Sequence, residues 1–292
     1  MAVNNTTNPW ILAARPKTLP AAVAPVCVGT ALAASHGRLA VGPALAALSG
    51  ALLLQIGVNL ANDYFDFVRH IDTADRIGPV RVTQSGLVPP HRVRQAMGSV
   101  LGCAALVGIY LISVGGWPIA IIGIASILSA LAYSGGPYPL ASHGLGDIFV
   151  FIFFGPVAVC GTYYVQAQNL HPASIWLSVP VGLLITAIIV VNNLRDIDTD
   201  QKAGKRTLAV RIGPARSMTL YAVLVLAAYG VVLIYWIQNG GFSWLPLLSL
   251  PASGILIRMM QKAVGSEYNR HLAGTAMMAL LFSLLLSIGL II

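Results

Sequence analysis

Apolar residues in this chain run in blocks about as long as a bilayer is thick, separated by short polar and turn-forming stretches. A helix needs roughly 20 apolar residues to cross hydrocarbon. Windows of that order fall near residues 18–34, 41–60, 95–114, 117–133, 148–165, 175–194, 218–237, 243–260 and 272–292. Gly-Gly, Gly-Pro and Pro-Pro pairs mark the loops between them. A transmembrane barrel strand would alternate apolar and polar positions, whereas stretches such as 44–54 and 276–292 are apolar throughout. The pattern predicts an all-α polytopic membrane protein of about nine transmembrane helices, one domain over residues 1–292.

Composition removes the alternatives. The chain is 57% hydrophobic and 9% charged, with a mean hydropathy of +0.80; a soluble domain carries roughly 25% charged residues. The formal charge of +8 comes from short basic loops between apolar segments, not from a basic water-facing surface, so no nucleic-acid partner is expected. Cys27, Cys103 and Cys160 sit inside apolar runs without CxxC spacing, which suggests packing rather than a disulfide or zinc site. Arg15 and Lys17 before an apolar run imitate a signal peptide, but Pro20 and Pro25 inside that run favour a retained first span.

Positive residues gather in cytoplasmic loops. With the N-terminus inside, sixteen of the seventeen Lys and Arg fall on the cytoplasmic side and only Arg38 falls outside, which predicts an external C-terminus. The acids are sharper still. Of nine, four lie between Asp63 and Asp75 and three between Asp196 and Asp200, each group at the cytoplasmic end of a predicted span. Asn59-Leu-Ala-Asn62-Asp63-Tyr-Phe-Asp66 and Asn192-Asn193-Leu-Arg-Asp196-Ile-Asp198-Thr-Asp200 share an Asn-to-Asp spacing of four, and each is followed by a basic loop. The two halves read as weakly related helical repeats with a site between them.

Residues three and four apart share a helix face, so Asn59, Asn62, Asp63 and Asp66 can line one span and Asn192, Asp196 and Asp200 another. Facing carboxylates at low dielectric repel unless cations lie between them. Hard oxygen ligands suit Mg²⁺, which is held by one or two carboxylates plus substrate phosphate oxygens. Arginine and lysine in the adjoining loops, Arg76, Arg81, Lys205 and Arg206, suit the phosphate oxygens that a metal does not reach. Acids, bases and an apolar body together point to a ligand with a diphosphate head and a hydrocarbon tail, an isoprenyl diphosphate.

These residues resemble the intramembrane aromatic prenyltransferases of the UbiA superfamily. The family's NDxxDxxxD motif appears as Asn62-Asp63-Tyr64-Phe65-Asp66, with His70 where a further acid would stand and Asp72 beyond it. The second motif, DxxDxxxD, is shifted, with Asp196, Asp198 and Asp200 alternating. Segments 59–86, 144–166 and 192–213, with Arg15-Pro16-Lys17-Thr18, are similar to the 1,4-dihydroxy-2-naphthoate polyprenyltransferases of menaquinone synthesis.

The resemblance implies that Asp63, Asp66, Asp196 and Asp200 hold Mg²⁺ on a polyprenyl diphosphate, and that 1,4-dihydroxy-2-naphthoate is prenylated with loss of CO₂ in a bacterial-type inner membrane. Lys17, Asn59, Asn62, Arg76, Arg81, Gln84, Asn192, Lys205 and Arg206 become substrate-binding candidates. An allylic cation needs an apolar, water-free chamber with aromatic walls, for which Tyr133, Tyr138, Phe153, Phe154, Tyr163 and Tyr164 are available. Asp147, isolated from both acid groups, is placed either to orient a ring hydroxyl or take a proton, or to stabilise a helix N-terminus. Another acceptor, such as 4-hydroxybenzoate or homogentisate, stays open. A transporter would hold its polar residues near mid-membrane, whereas these acids cluster at one face.

Overall fold

The computed structural model describes residues 8–71 and 77–292, and among these it contains helices and no strand. In chain order the helices are α1 (Pro9–Ala14), α2 (Pro20–Ser35), α3 (Val41–Val68), α4 (Pro90–Gly115), α5 (Trp117–Ala132), α6 (Gly146–Ile152) and α7 (Ala158–Ala167). They continue with α8 (Pro172–Arg195), α9 (Ile197–Lys202), α10 (Leu208–Ile212), α11 (Pro214–Asn239), α12 (Leu250–Met260) and α13 (Tyr268–Ile291). Each predicted apolar window falls on one of them or on a closely joined pair.

Among the described residues six helical stretches are long and apolar enough to cross a membrane: Val41–Val68, Pro90–Gly115, Gly146–Ala167, Pro172–Arg195, Pro214–Asn239 and Gly265–Ile291. The first window belongs to a pair, Pro9–Thr18 and Pro20–Ser35, bent by 48°. The bend follows from Pro16 and Pro20, which cannot donate a helical backbone bond. Trp117–Ala132 and Leu245–Met260 are shorter apolar helices.

Helix α8 is apolar all round, which marks a helix buried on every side, and 72% of its most apolar window is buried. It packs in one core with α2, α7, α11 and α13, where Leu177, Val181, Leu184 and Val191 are wholly enclosed. Both buried tyrosine hydroxyls of α11 in this core are paired: that of Tyr221 meets Thr275, and that of Tyr229 meets Ser249 and Ser253. A second, smaller core joins α1, α3, α4 and the loop containing Val82 and Val88. Between the two lies the cavity that carries the polar residues.

Two details differ from the hydropathy windows. Helix α3 runs on to Val68, eight residues past the apolar window, because its polar end has a buried face: Asn59, Asp63 and Asp66 are all enclosed. The stretch 148–165 is broken by a wider π turn at Phe153–Val157, where Pro156 lacks a backbone donor.

Candidate active site

Helix α3 ends in a Schellman arrangement: Ile71 N–H donates to the Asp66 carbonyl (2.9 Å) and His70 N–H to that of Phe67 (3.0 Å). His70 takes the left-handed φ of 56° that this cap requires. The position at which the first motif departs from its family is thus already outside the helix, while Asp63 and Asp66 remain on it.

Those two acids do different things. Asp63 is 2% exposed, and its two carboxylate oxygens accept the backbone N–H groups of Val82 and Thr83, each at 3.0 Å. It fastens the loop that carries Arg81. Asp66 is on the cavity wall. Its Oδ2 accepts from Arg81 Nη2 at 2.9 Å and its Oδ1 from Lys205 Nζ at 3.4 Å. Lys205 also stands 3.9 Å from Asp200, so one lysine links the two acid groups.

The second group sits where α8 gives way to α9. Asp196 caps α8 and is gripped by Arg195, Nε to Oδ1 at 2.8 Å and Nη2 to Oδ2 at 2.6 Å, a forked contact. The same guanidinium reaches Asn192 and, at 3.0 Å, Asn269 of α13. Asp200 follows one turn later on α9, buried and facing the cavity. Asp198 is not on that wall, being on the other side of the short helix.

The cavity encloses about 560 Å³. Its charged end is formed by Asp66, Asp196, Asp200, Arg81, Lys205 and Arg15, and the remainder of its wall is uncharged and mostly apolar. Asn59, Asn62 and Asn192 line it as well. The Asn59 amide is also a tie, donating to the Ala14 carbonyl (2.9 Å) and to the Thr18 hydroxyl (3.0 Å), which holds the bend before α2 against α3. Asn62 accepts from Ser134 at 2.6 Å. Tyr133, Phe149, Phe153 and Phe154 supply aromatic wall, the last three carried by α6 and the π turn.

Several expected residues stand elsewhere. Lys17 and Arg206 are exposed, Gln84 is half-buried in the loop beyond Thr83, and none of the three lines the cavity. Arg206 instead joins loops, its N–H donating to the Ser142 carbonyl at 2.8 Å. Tyr138 is 55% exposed and stacks on His143 at 3.6 Å. Tyr163 lies at the far end of α7, bonded to His36. Asp147 is buried near the start of α6, and its Oδ1 has no hydrogen-bond partner among the described residues. It is not on the cavity wall, but neighbouring Gly146 faces the Tyr133 hydroxyl, which is. Arg76, Asp72 and Asp75 lie outside the described residues.

Among the wall residues not singled out as site residues from sequence are Arg15, Asn193 and Phe149. For Arg15 a signal existed, since it opens the Arg15-Pro16-Lys17-Thr18 corner. The carboxylates and amides at the polar end are all hard oxygen donors, and Mg²⁺ needs only one or two carboxylates besides phosphate oxygens. The absence of a cluster of three acidic or imidazole ligands among the described residues is compatible with that demand.

The pattern that defines the UbiA prenyltransferase family matches residues 22–289. The chain belongs to the UbiA prenyltransferase family. It is therefore a prenyl-transferring enzyme. This family member is 38% identical over 291 residues to 1,4-dihydroxy-2-naphthoate octaprenyltransferase of Escherichia coli K12, covering 95% of this chain and 94% of the relative. It is 46% identical over 224 residues to the Mycobacterium tuberculosis protein of the same name, covering 76% of each. In fold it is similar to a UbiA homologue from Archaeoglobus fulgidus solved with GPP and Mg²⁺ bound, with a TM-score of 0.71, 14% identity, and coverage of 97% of this chain and 99% of that one.

Proposed function

We propose that this enzyme transfers a polyprenyl group from polyprenyl diphosphate to 1,4-dihydroxy-2-naphthoate with loss of CO₂, giving the demethylmenaquinone skeleton. The observation that carries the reading is the division of the cavity. Acids and bases from both halves of the chain ring one end of a space whose other walls are uncharged and mostly apolar, which matches a diphosphate head on a hydrocarbon tail. The naphthoate is the acceptor in this reading because the two relatives named above, similar over most of the chain, are named for it.

Asp66, Asp196 and Asp200 are the residues that would hold Mg²⁺, no more than two of them on one ion, with Asp63 positioning the loop beside them. Bound Mg²⁺ supplies Lewis-acid neutralisation of the charge that grows on a departing diphosphate. Arg81, Lys205 and Arg15 bind the remaining phosphate oxygens, and they stabilise the leaving group as its charge develops. The C1–O bond breaks with its electron pair on the diphosphate. The aromatic wall and the apolar chamber shield the allylic cation from water until the ring carbon bearing the carboxylate attacks C1. Loss of CO₂ returns its bonding electrons to the ring, so no base is required at that carbon. Asp147 lies behind the Tyr133 side of the chamber and off its wall, so in this scheme it does not touch the acceptor directly.

The test is turnover by purified protein in detergent with polyprenyl diphosphate, Mg²⁺ and either the naphthoate or 4-hydroxybenzoate, counting prenylated product and released CO₂. Product and CO₂ with the naphthoate alone is the expected result. Product only with hydroxybenzoate would keep the mechanism of ionisation and overturn the acceptor. The metal assignment has its own check: EDTA should weaken binding of the prenyl diphosphate, and unchanged affinity would make the basic residues the main anchor.

A further inference from the structure

We infer that Gly108 of α4 and Gly123 of α5 set the length of prenyl chain this enzyme accepts; the inference rests on the prenyl-transfer reading above. Both glycines are on the cavity wall. Helices α4 and α5 are antiparallel and joined by a tight turn at Gly116. Gly108 and Gly123 are thus at one level, about 10 Å from that turn by helical rise. By the same measure Gly123 is about 15 Å along α5 from Tyr133, which stands at the polar end. A chain held by its diphosphate among the acids reaches this level only when several prenyl units long.

The space in front of these glycines is cavity and not protein. A Cβ built on Gly108 or Gly123 meets nothing within 4 Å, whereas one on Gly115 would lie 2.4 Å from Ile119 and one on Gly57 2.5 Å from Leu101. A side chain at either position would therefore start into the ligand's volume with its Cβ touching no neighbour. Beside them, Ile109 and Ile124 are cavity residues that are also 62% and 60% exposed. They mark an opening between the chamber and lipid at the level of the glycines. A cavity of 560 Å³ is sized for one ligand of drug-like bulk, so a long polyprenyl chain has to pass out through such an opening. A short chain remains inside. The missing side chains at 108 and 123 keep that passage wide.

The experiment compares the unmodified enzyme with Gly123→Phe and Gly108→Phe, and with Gly102→Phe as control. Gly102 is on the same helix, exposed, off the cavity wall and equally unobstructed. Geranyl, geranylgeranyl and octaprenyl diphosphates are supplied with one acceptor, and thermal stabilisation of each protein by each donor is recorded in parallel. Turnover with octaprenyl relative to geranyl diphosphate should fall about tenfold in the two cavity variants, the scale of a misfit in a packed wall. It should stay at the unmodified ratio in Gly102→Phe. Cavity variants that fold and keep the unmodified ratio, in turnover and in stabilisation, would overturn the inference. Lack of transfer by the unmodified enzyme with every donor would overturn the prenyl-transfer reading, and the stabilisation ratios would then decide the glycine assignment by themselves.

Discussion

Arg15 holds a left-handed backbone, φ 52°, immediately before Pro16 and at the end of α1. For a side chain other than glycine this conformation costs roughly 1–2 kcal/mol, and such costs concentrate at functional sites. Here it turns the arginine into the cavity. Arg15→Gly should therefore leave thermal stability equal or higher while raising the KM for the prenyl diphosphate; a fall in stability without a KM change would make the residue a purely structural corner. Asp63 is the complementary case, a carboxylate spent on two backbone amides. Asp63→Asn leaves one acceptor for two donors and should loosen the loop by about 2 kcal/mol. Limited trypsin digestion would read this as faster cleavage after Arg81, accompanied by weaker donor binding, and an unchanged cleavage rate would remove the anchoring role. Sequence spacing brought out Asp66, Asp196, Asp200, Arg81 and Lys205, which the fold gathers on one wall, because grouped acids in an apolar chain have few other uses. It did not separate Asp63 from Asp66. Both are on a buried helix face, and only the loop returning from Arg81 to Val88 decides which of them meets protein amides and which meets the cavity.

At the level of elements, hydropathy located the helices but not their interruptions. The π turn at Phe153–Val157 is invisible to an apolar average, since every residue in it is apolar or small. Its cause is local: Pro156 lacks a donor, and Gly155 lets the turn lie against α8. A Cβ on Gly155 would be 2.9 Å from the Ser178 carbonyl, and one on Gly182 would be 3.0 Å from the Phe151 ring and 3.1 Å from the Gly155 Cα. This backbone-to-backbone approach is how helices associate in lipid, where burial of apolar area supplies no drive. It fixes the segment that presents Phe149, Phe153 and Phe154 to the cavity. Gly182→Val should destabilise the detergent-solubilised protein by about 1–3 kcal/mol through overpacking. Gly230→Val on α11, where a Cβ meets nothing within 4 Å, should not. Equal melting temperatures for the two variants would show that the α8 contact is slack.

For the molecule as a whole, loop-to-loop bonds determine how many times the chain changes ends. Lys205 reaches Asp66, Arg211 reaches the His143 carbonyl at 2.9 Å, and Asn269 reaches the Ile77 carbonyl at 3.1 Å. The ends of α3 and α8, the loop before α6 and the start of α13 therefore share one end of the molecule. The chain can leave α3 and return at the end of α8 only by an even number of passes, and we propose that the short helix α5 makes one of them alongside α4, α6–α7 and α8. On the same proposal α11 and the Leu245–Met260 segment make one pass each before α13 departs for the opposite end. The apolar windows at 117–133 and 243–260 predict a span over each short helix, and the charge distribution points the same way, since omitting either would spread the Lys and Arg over both faces. The expected outcome is concrete. A reporter inserted after Gln201 in the basic segment should behave as cytoplasmic, with a fluorescent protein bright and alkaline phosphatase inactive, and the same reporters fused after Ile292 should show the reverse. Identical behaviour at the two positions would mean that one of the short helices folds back without crossing the bilayer, and that the diphosphate end and the C-terminus face the same compartment.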